Sequence, residues 1–168
     1  MEARAKLFGH PVHQMLIVFP LGLLGASIIF DIAYLSGRNG RWADIAFWMI
    51  AVGVISGLTA AVFGLIDWLA IPSGTRAKRI GLLHGVGNVV VVGLFVVSWL
   101  LRRPDPRTPS IVAIVLSFAG VGLSLITGWL GGELVDRLGV GVDDGANLDA
   151  PSSLTHPSPG SSTGPRPA

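Results

Sequence analysis

Apolar residues fall into four long blocks, Met15–Leu35, Ala43–Ala70, Leu82–Leu101 and Ile111–Leu130, and polar residues gather where the blocks end. A hydrocarbon core about 30 Å thick needs about 20 helical residues at 1.5 Å rise, so each block predicts one membrane-crossing helix. The joints carry turn chemistry: Gly37 and Gly40 in Ser36–Trp42, Pro72 and Gly74 in Ile71–Ile80, and Pro104, Pro106 and Pro109 in Arg102–Ser110. Joints this short make successive helices antiparallel neighbours. The expected fold is therefore all-α, an integral membrane four-helix bundle running up-down-up-down, with both termini on one side.

Aromatic residues place the interfaces. Trp42, Trp48 and Trp99 fall near one, and Trp68 and Trp129 near the other. Basic residues barely distinguish the two sides. Arg4, Lys6, Arg76, Lys78, Arg79 and Arg137 lie on the side of the termini, against Arg38, Arg41, Arg102, Arg103 and Arg107 on the other. Six against five gives no vote under the positive-inside rule, and the termini are expected on the cytoplasmic side. The first block is too long for a signal-peptide core and lacks a small-x-small cleavage site, so it reads as a retained helix.

Composition sharpens the class. Hydrophobic residues make up 51% and charged residues 13%, more apolar surface than a soluble domain of 168 residues could hide. A net charge of +2 without a basic run excludes a nucleic-acid surface. The absence of cysteine excludes disulfides, thiolate metal sites, iron–sulfur ligation and lipoprotein attachment. Domain organisation follows: an N-terminal segment 1–9, the helical domain 10–142, and a tail 143–168. The tail is so rich in Pro, Ser and Gly that it buries too little to order itself, and it is expected to be disordered. His156 lies in it and is discounted as a ligand.

Within the second block Gly53, Gly57, Ala60, Gly64 and Asp67 recur at helical spacing, a stripe of small residues that lets a neighbouring backbone approach. Asp67 continues the stripe and should point at another helix and not at lipid. Gly81 and Gly85 form a shorter version in the third helix. Alternating helix directions then bring His10, His13, Asp67, His84, Asn88 and Glu133 to one end of the bundle, including three of the four histidines. His84 and Asn88 share a face. Ionisable groups in a span cost about 2.5–3.5 kcal/mol each, and persist where they pair or do chemistry. Asp31, at the opposite end, is expected to pair with Arg38, Arg102 or Arg103.

At these residues the chain resembles a known family. Gly9-His10-Pro11-Val12-His13, Met15-Leu16, Phe19-Pro20-Leu21-Gly22, Gly64-Leu65-Ile66-Asp67, His84 and Gly128-Trp129-Leu130-Gly131-Gly132-Glu133-Leu134-Val135 together are similar to bacterial predicted membrane proteins designated domain of unknown function 2231. The resemblance covers about Phe8 to Val142 and implies a four-helix domain in the bacterial cytoplasmic membrane. Some members carry a Rieske iron–sulfur domain, which implies a redox neighbourhood. This chain departs from the family pattern at Gln14, where proline is common, and at Asp136 and Leu138, where aromatic residues or His are common.

Three functions compete. A redox subunit would bind haem b between His13 and His84 as axial ligands, since the first and third helices run parallel with the two histidines at similar depth. A first-row transition metal would instead recruit His10, His13, Asp67, His84 and Glu133. With histidines at one end only, the two-haem arrangement for transmembrane electron transfer is excluded. A non-catalytic accessory subunit, with lipid, a redox protein or a second copy as partner, is the alternative. A proton-coupled permease using Asp31 and Asp67 ranks third, because four helices are few and no inverted repeat is visible. Nothing resembles a nucleophile–base pair, a phosphate loop or a zinc-protease helix, so a stand-alone enzyme has no support.

Overall fold

A computed structural model describes residues 1–155. Its architecture is the antiparallel four-helix bundle that the apolar blocks require. In chain order the elements are strands β1 (Lys6–Leu7) and β2 (His10–Pro11), helices α1 (Val12–Leu16), α2 (Val18–Gly37), α3 (Gly40–Ala70), α4 (Arg76–Arg102) and α5 (Ile111–Gly132), and a π-helical turn over Glu133–Arg137. Four continuous spans result, Val12–Gly37, Gly40–Ala70, Arg76–Arg102 and Ile111–Arg137, each long and apolar enough to cross a membrane.

The helices outrun the apolar blocks because polar residues at the joints cap them. Asn39 accepts from the Arg41 N–H, Thr75 from Lys78 and Ser110 from Ala113, each filling a donor left open by a helix start. Arg38 closes α2 in the left-handed conformation, its N–H on the Tyr34 carbonyl. The first span breaks at Ile17 because Pro20 has no N–H to offer the Leu16 carbonyl one turn back.

α2 packs chiefly on α3, and α4 on α5; the two hairpins meet through α3–α4 and α2–α5. Leu24, Ile50, Val91 and Phe95 form the centre. Tyr34, Ala43 and Ile114 form a second cluster towards the α2–α3 turn. Outside, Ile29, Trp48, Ile55, Val89, Leu125 and Trp129 are exposed, the surface that lipid covers. The small-residue stripe does what its spacing predicts. A Cβ on Gly53 would strike Leu24, one on Gly57 would touch Pro20, and one on Gly64 would strike His13. In the third helix Gly81 lies under Trp68, whereas Gly85 faces open space.

The opposite end of the bundle holds a charge network. Arg102 donates from both terminal nitrogens to Asp31, at 2.7 Å each, and neither side chain has exposed surface. Of the three arginines expected as partners, Arg102 is the one used. Its Nε also donates to Ser98 at 3.3 Å and its Nη2 to Ser117 at 3.2 Å, while Ser98 donates to the Ala113 carbonyl. In the adjoining loop the Thr108 hydroxyl and the Arg107 N–H donate to Asp105 and hold its carboxyl below the usual range. That stabilisation is present above the ordinary Asp pKa and is lost as pH falls through the lowered value.

The N-terminal segment forms a short hairpin that leads into the first span. Phe8 and Gly9, both with positive φ, turn β1 into β2. Residues 143–155 form turns without helix or strand, and Ser153 lies against Gly9. His156 and the rest of the tail lie outside the described residues.

Gly120 sits under Phe95, which is wholly buried; a Cβ there would lie 2.7 Å from Cε2. Gly120→Ala should therefore cost about 1–3 kcal/mol by overpacking. Gly122→Ala, with nothing within 4 Å, should be neutral or slightly stabilising. Unfolding midpoints in mixed micelles measure both.

Candidate functional site

His13 enters from the first turn of α1 and His84 from the third turn of α4, so both imidazoles lie inside the bundle at the end where the chain begins. Backbone carbonyls fix them. His13 Nδ1 is 2.9 Å from the Ala60 oxygen and His84 Nδ1 is 2.8 Å from the Thr127 oxygen. A carbonyl only accepts, so each Nδ1 carries its proton and the neutral ring keeps its lone pair on Nε2. Glycine makes room for each ring. A Cβ on Gly64 would lie 2.9 Å from His13 Nδ1, and one on Gly131 would lie 3.1 Å from His84 Cε1. The ring centres are 6.4 Å apart and the planes nearly perpendicular, at 88°.

The two histidines differ in their second nitrogen. Asn88 Nδ2 donates to His84 Nε2 at 3.1 Å, and the Thr127 hydroxyl donates to Asn88 Oδ1 at 2.9 Å. His84 is thereby satisfied on both sides. His13 Nε2 has no hydrogen-bond partner among the described residues.

The other expected ligands come to the same end but not to the same point. Asp67 turns to the N-terminal segment, where Oδ1 accepts the backbone N–H groups of Arg4 at 2.7 Å and Ala5 at 3.1 Å. It faces protein and not lipid, but the partner is this N-terminal strap and not the neighbouring helix that the stripe predicts. Glu133 lies on the π-helical turn and pairs with Arg76. Beside it a recess of about 330 Å³ is lined by Trp129, Gly132, Glu133, Asp136 and Arg137. His10 is exposed on β2, in a shallower recess of about 210 Å³ shared with Leu7, Phe8, Met15, Ser153 and Leu154. Among the described residues no three His, Asp or Glu side chains are grouped to hold a metal ion. Of the five residues His10, His13, Asp67, His84 and Glu133, the structure brings only His13 and His84 to one another. Helix direction fixed which end each residue reaches, but not its depth or facing.

Several residues close this end. Lys78 donates to the Trp68 carbonyl at 2.7 Å and lies 3.9 Å over the Trp68 ring, while Trp68 Nε1 donates back to the Lys78 carbonyl. The Met1 carbonyl accepts from the Gly141 N–H, and the Ala5 carbonyl from Val12. Sequence reasoning missed Thr127, and at the far end Ser98 and Ser117. A signal existed for Ser98, which stands one turn before Arg102 on the same face.

Four apolar spans with paired polar groups inside define a polytopic membrane bundle. The chain belongs to the family of predicted membrane proteins designated DUF2231, whose model matches residues 9–144. No curated protein and no solved structure matches it.

Asp67→Ala should release the strap. Loss of two hydrogen bonds to a charged acceptor predicts a loss of about 1–3 kcal/mol. Amide exchange at Arg4 and Ala5 should accelerate at least about tenfold, with the centre of α4 unchanged. Hydrogen-exchange mass spectrometry reads both.

Proposed function

We propose that this protein is a membrane subunit that holds one first-row transition-metal ion between His13 and His84, beside a redox partner in the bacterial cytoplasmic membrane. The separation of the two rings carries this reading. Imidazole nitrogens about 2.0–2.1 Å from a shared metal keep their ring centres about 5–6.5 Å apart, depending on the angle at the metal. The observed 6.4 Å lies at the top of that range, where the two nitrogens face each other across the ion. An Nδ1–H held by a backbone carbonyl is also the usual support of a metal-binding histidine, since it fixes the tautomer and aims Nε2. Imidazole suits Zn, Cu, Fe and Ni, and two nitrogens leave positions for water or a partner's ligand. The redox association follows from the family resemblance alone.

Haem b fits this pair less well. Gly64 and Gly131 press on the rings closely enough to exclude a methyl group, and Asn88 stands at His84 Nε2. A planar macrocycle would have to part the helices, whereas a bare ion requires only that the Asn88 amide turn aside. The accessory-subunit reading is favoured by one observation, the full satisfaction of His84 by Thr127 and Asn88.

Elemental analysis and reduced-minus-oxidised spectra of protein purified in mild detergent after metal-supplemented expression decide between them. About one metal per chain, lost in His13→Ala and in His84→Ala but kept in His10→Ala, is the expected result. Sharp reduced-state bands with stoichiometric iron would establish haem instead. A metal-free, colourless protein would leave the accessory subunit.

A further inference from the structure

The two halves of the bundle carry one pattern twice. Asp31 and Arg102 are 71 positions apart. The same offset carries His13 onto His84, Gly22 onto Gly93, Leu23 onto Leu94, Leu24 onto Phe95 and Ser27 onto Ser98. Burial obeys it, with Leu24, Ser27 and Asp31 buried in α2 and Phe95, Ser98 and Arg102 in α4. The second helix of each hairpin follows a constant offset of its own. Buried Ala46, Phe47, Ile50, Gly53 and Ala60 of α3 correspond one for one with buried Ala113, Ile114, Ser117, Gly120 and Thr127 of α5.

The contacts repeat as well. Gly53 receives Leu24 as Gly120 receives Phe95, and Gly64 receives His13 as Gly131 receives His84. Each histidine bonds a carbonyl on the second helix of its own hairpin, 47 residues on in the first and 43 in the second. The difference is close to one helical turn of 3.6 residues, which keeps the facing. It is absorbed at the turns, where α2 runs past Asp31 to Gly37 while α4 stops at Arg102.

Both hairpins begin at the same end, so the repeat is parallel and its two-fold axis runs along the bundle. On such an axis a residue meets its own counterpart. His13 meets His84 at one end, and Asp31 meets Arg102 at the other. We infer that the chain is two copies of one hairpin docked about this axis, and that the opposite charges at the equivalent positions 31 and 102 commit each hairpin to the other. Two first hairpins docked alike would bury Asp31 against Asp31, and two second hairpins would bury Arg102 against Arg102. Like charges without water or a counter-ion oppose both pairings, so the charge difference selects the partner.

Charge exchange in the full chain tests this. Asp31→Arg alone and Arg102→Asp alone each place like charges on the axis, and each should cut the yield of monodisperse protein at least about tenfold. The double variant should recover to within about threefold of the parent, because the positions are equivalent. Adding Ile50→Ser, which supplies the hydroxyl corresponding to Ser117, should raise it further. A double variant no better than either single one overturns the inference. A protease site placed between Ser73 and Gly74 gives a second reading on the parent protein. After cleavage of purified protein the two hairpins should elute together in mild detergent, and separation would overturn the docking.

Discussion

The Asp31–Arg102 pair is the constraint around which one end of this bundle is organised. A carboxylate and a guanidinium with no exposed surface, in a protein sheathed by lipid, survive only if each satisfies the other. The fork geometry of Arg102 matches both carboxylate oxygens, and Ser98 and Ser117 take donors that the carboxylate leaves over. The arrangement needs α2, α4 and α5 at one depth and one rotation, since it draws a residue from each. A pair of this kind adds little net stability compared with an apolar core, but it leaves one way to assemble.

The histidine end answers the same rule with neutral groups. Two half-buried rings find carbonyls on the neighbouring helix, and glycines let those helices come close enough to offer them. The glycines therefore serve packing and chemistry together: the stripe that allows α3 to approach α1 is also what admits the His13 ring. Asp67 and Glu133, at the boundary with water, are spent on the strap and on Arg76. Polar residues thus form a layer at each end, with the apolar cluster of Leu24, Ile50, Val91 and Phe95 between them.

The fold was legible because hydropathy over 20-residue windows is a strong, local signal that lipid enforces residue by residue. The joints, the glycine stripe and the partnership of Asp31 with a nearby arginine were legible for related reasons. Legibility ended where facing and depth decide. His10 and His13 flank one proline, yet the first lies on an exposed strand and the second inside the bundle. The hairpin turn at Phe8-Gly9 is too short to leave a periodicity. The parallel repeat escaped because its shared positions are few and spaced along helices whose other residues answer only to lipid. Burial had to be known before the correspondence stood out.

The departures from that repeat bear most directly on the histidine pair. Ile17 stands where the second hairpin has Asn88, and Ala60 where it has Thr127. Two polar side chains therefore stand on one side of the axis only: the Asn88 amide touches the His84 imidazole, and the Thr127 hydroxyl holds Asn88. His84 is held as a neutral ring with its Nε2 lone pair already engaged, whereas His13 keeps that nitrogen open among the described residues. A backbone carbonyl holds each ring at Nδ1, so the inequivalence falls entirely on Nε2. The one departure from the two-fold pattern at this end is thus an imidazole engaged at both nitrogens beside one engaged, among the described residues, at Nδ1 alone.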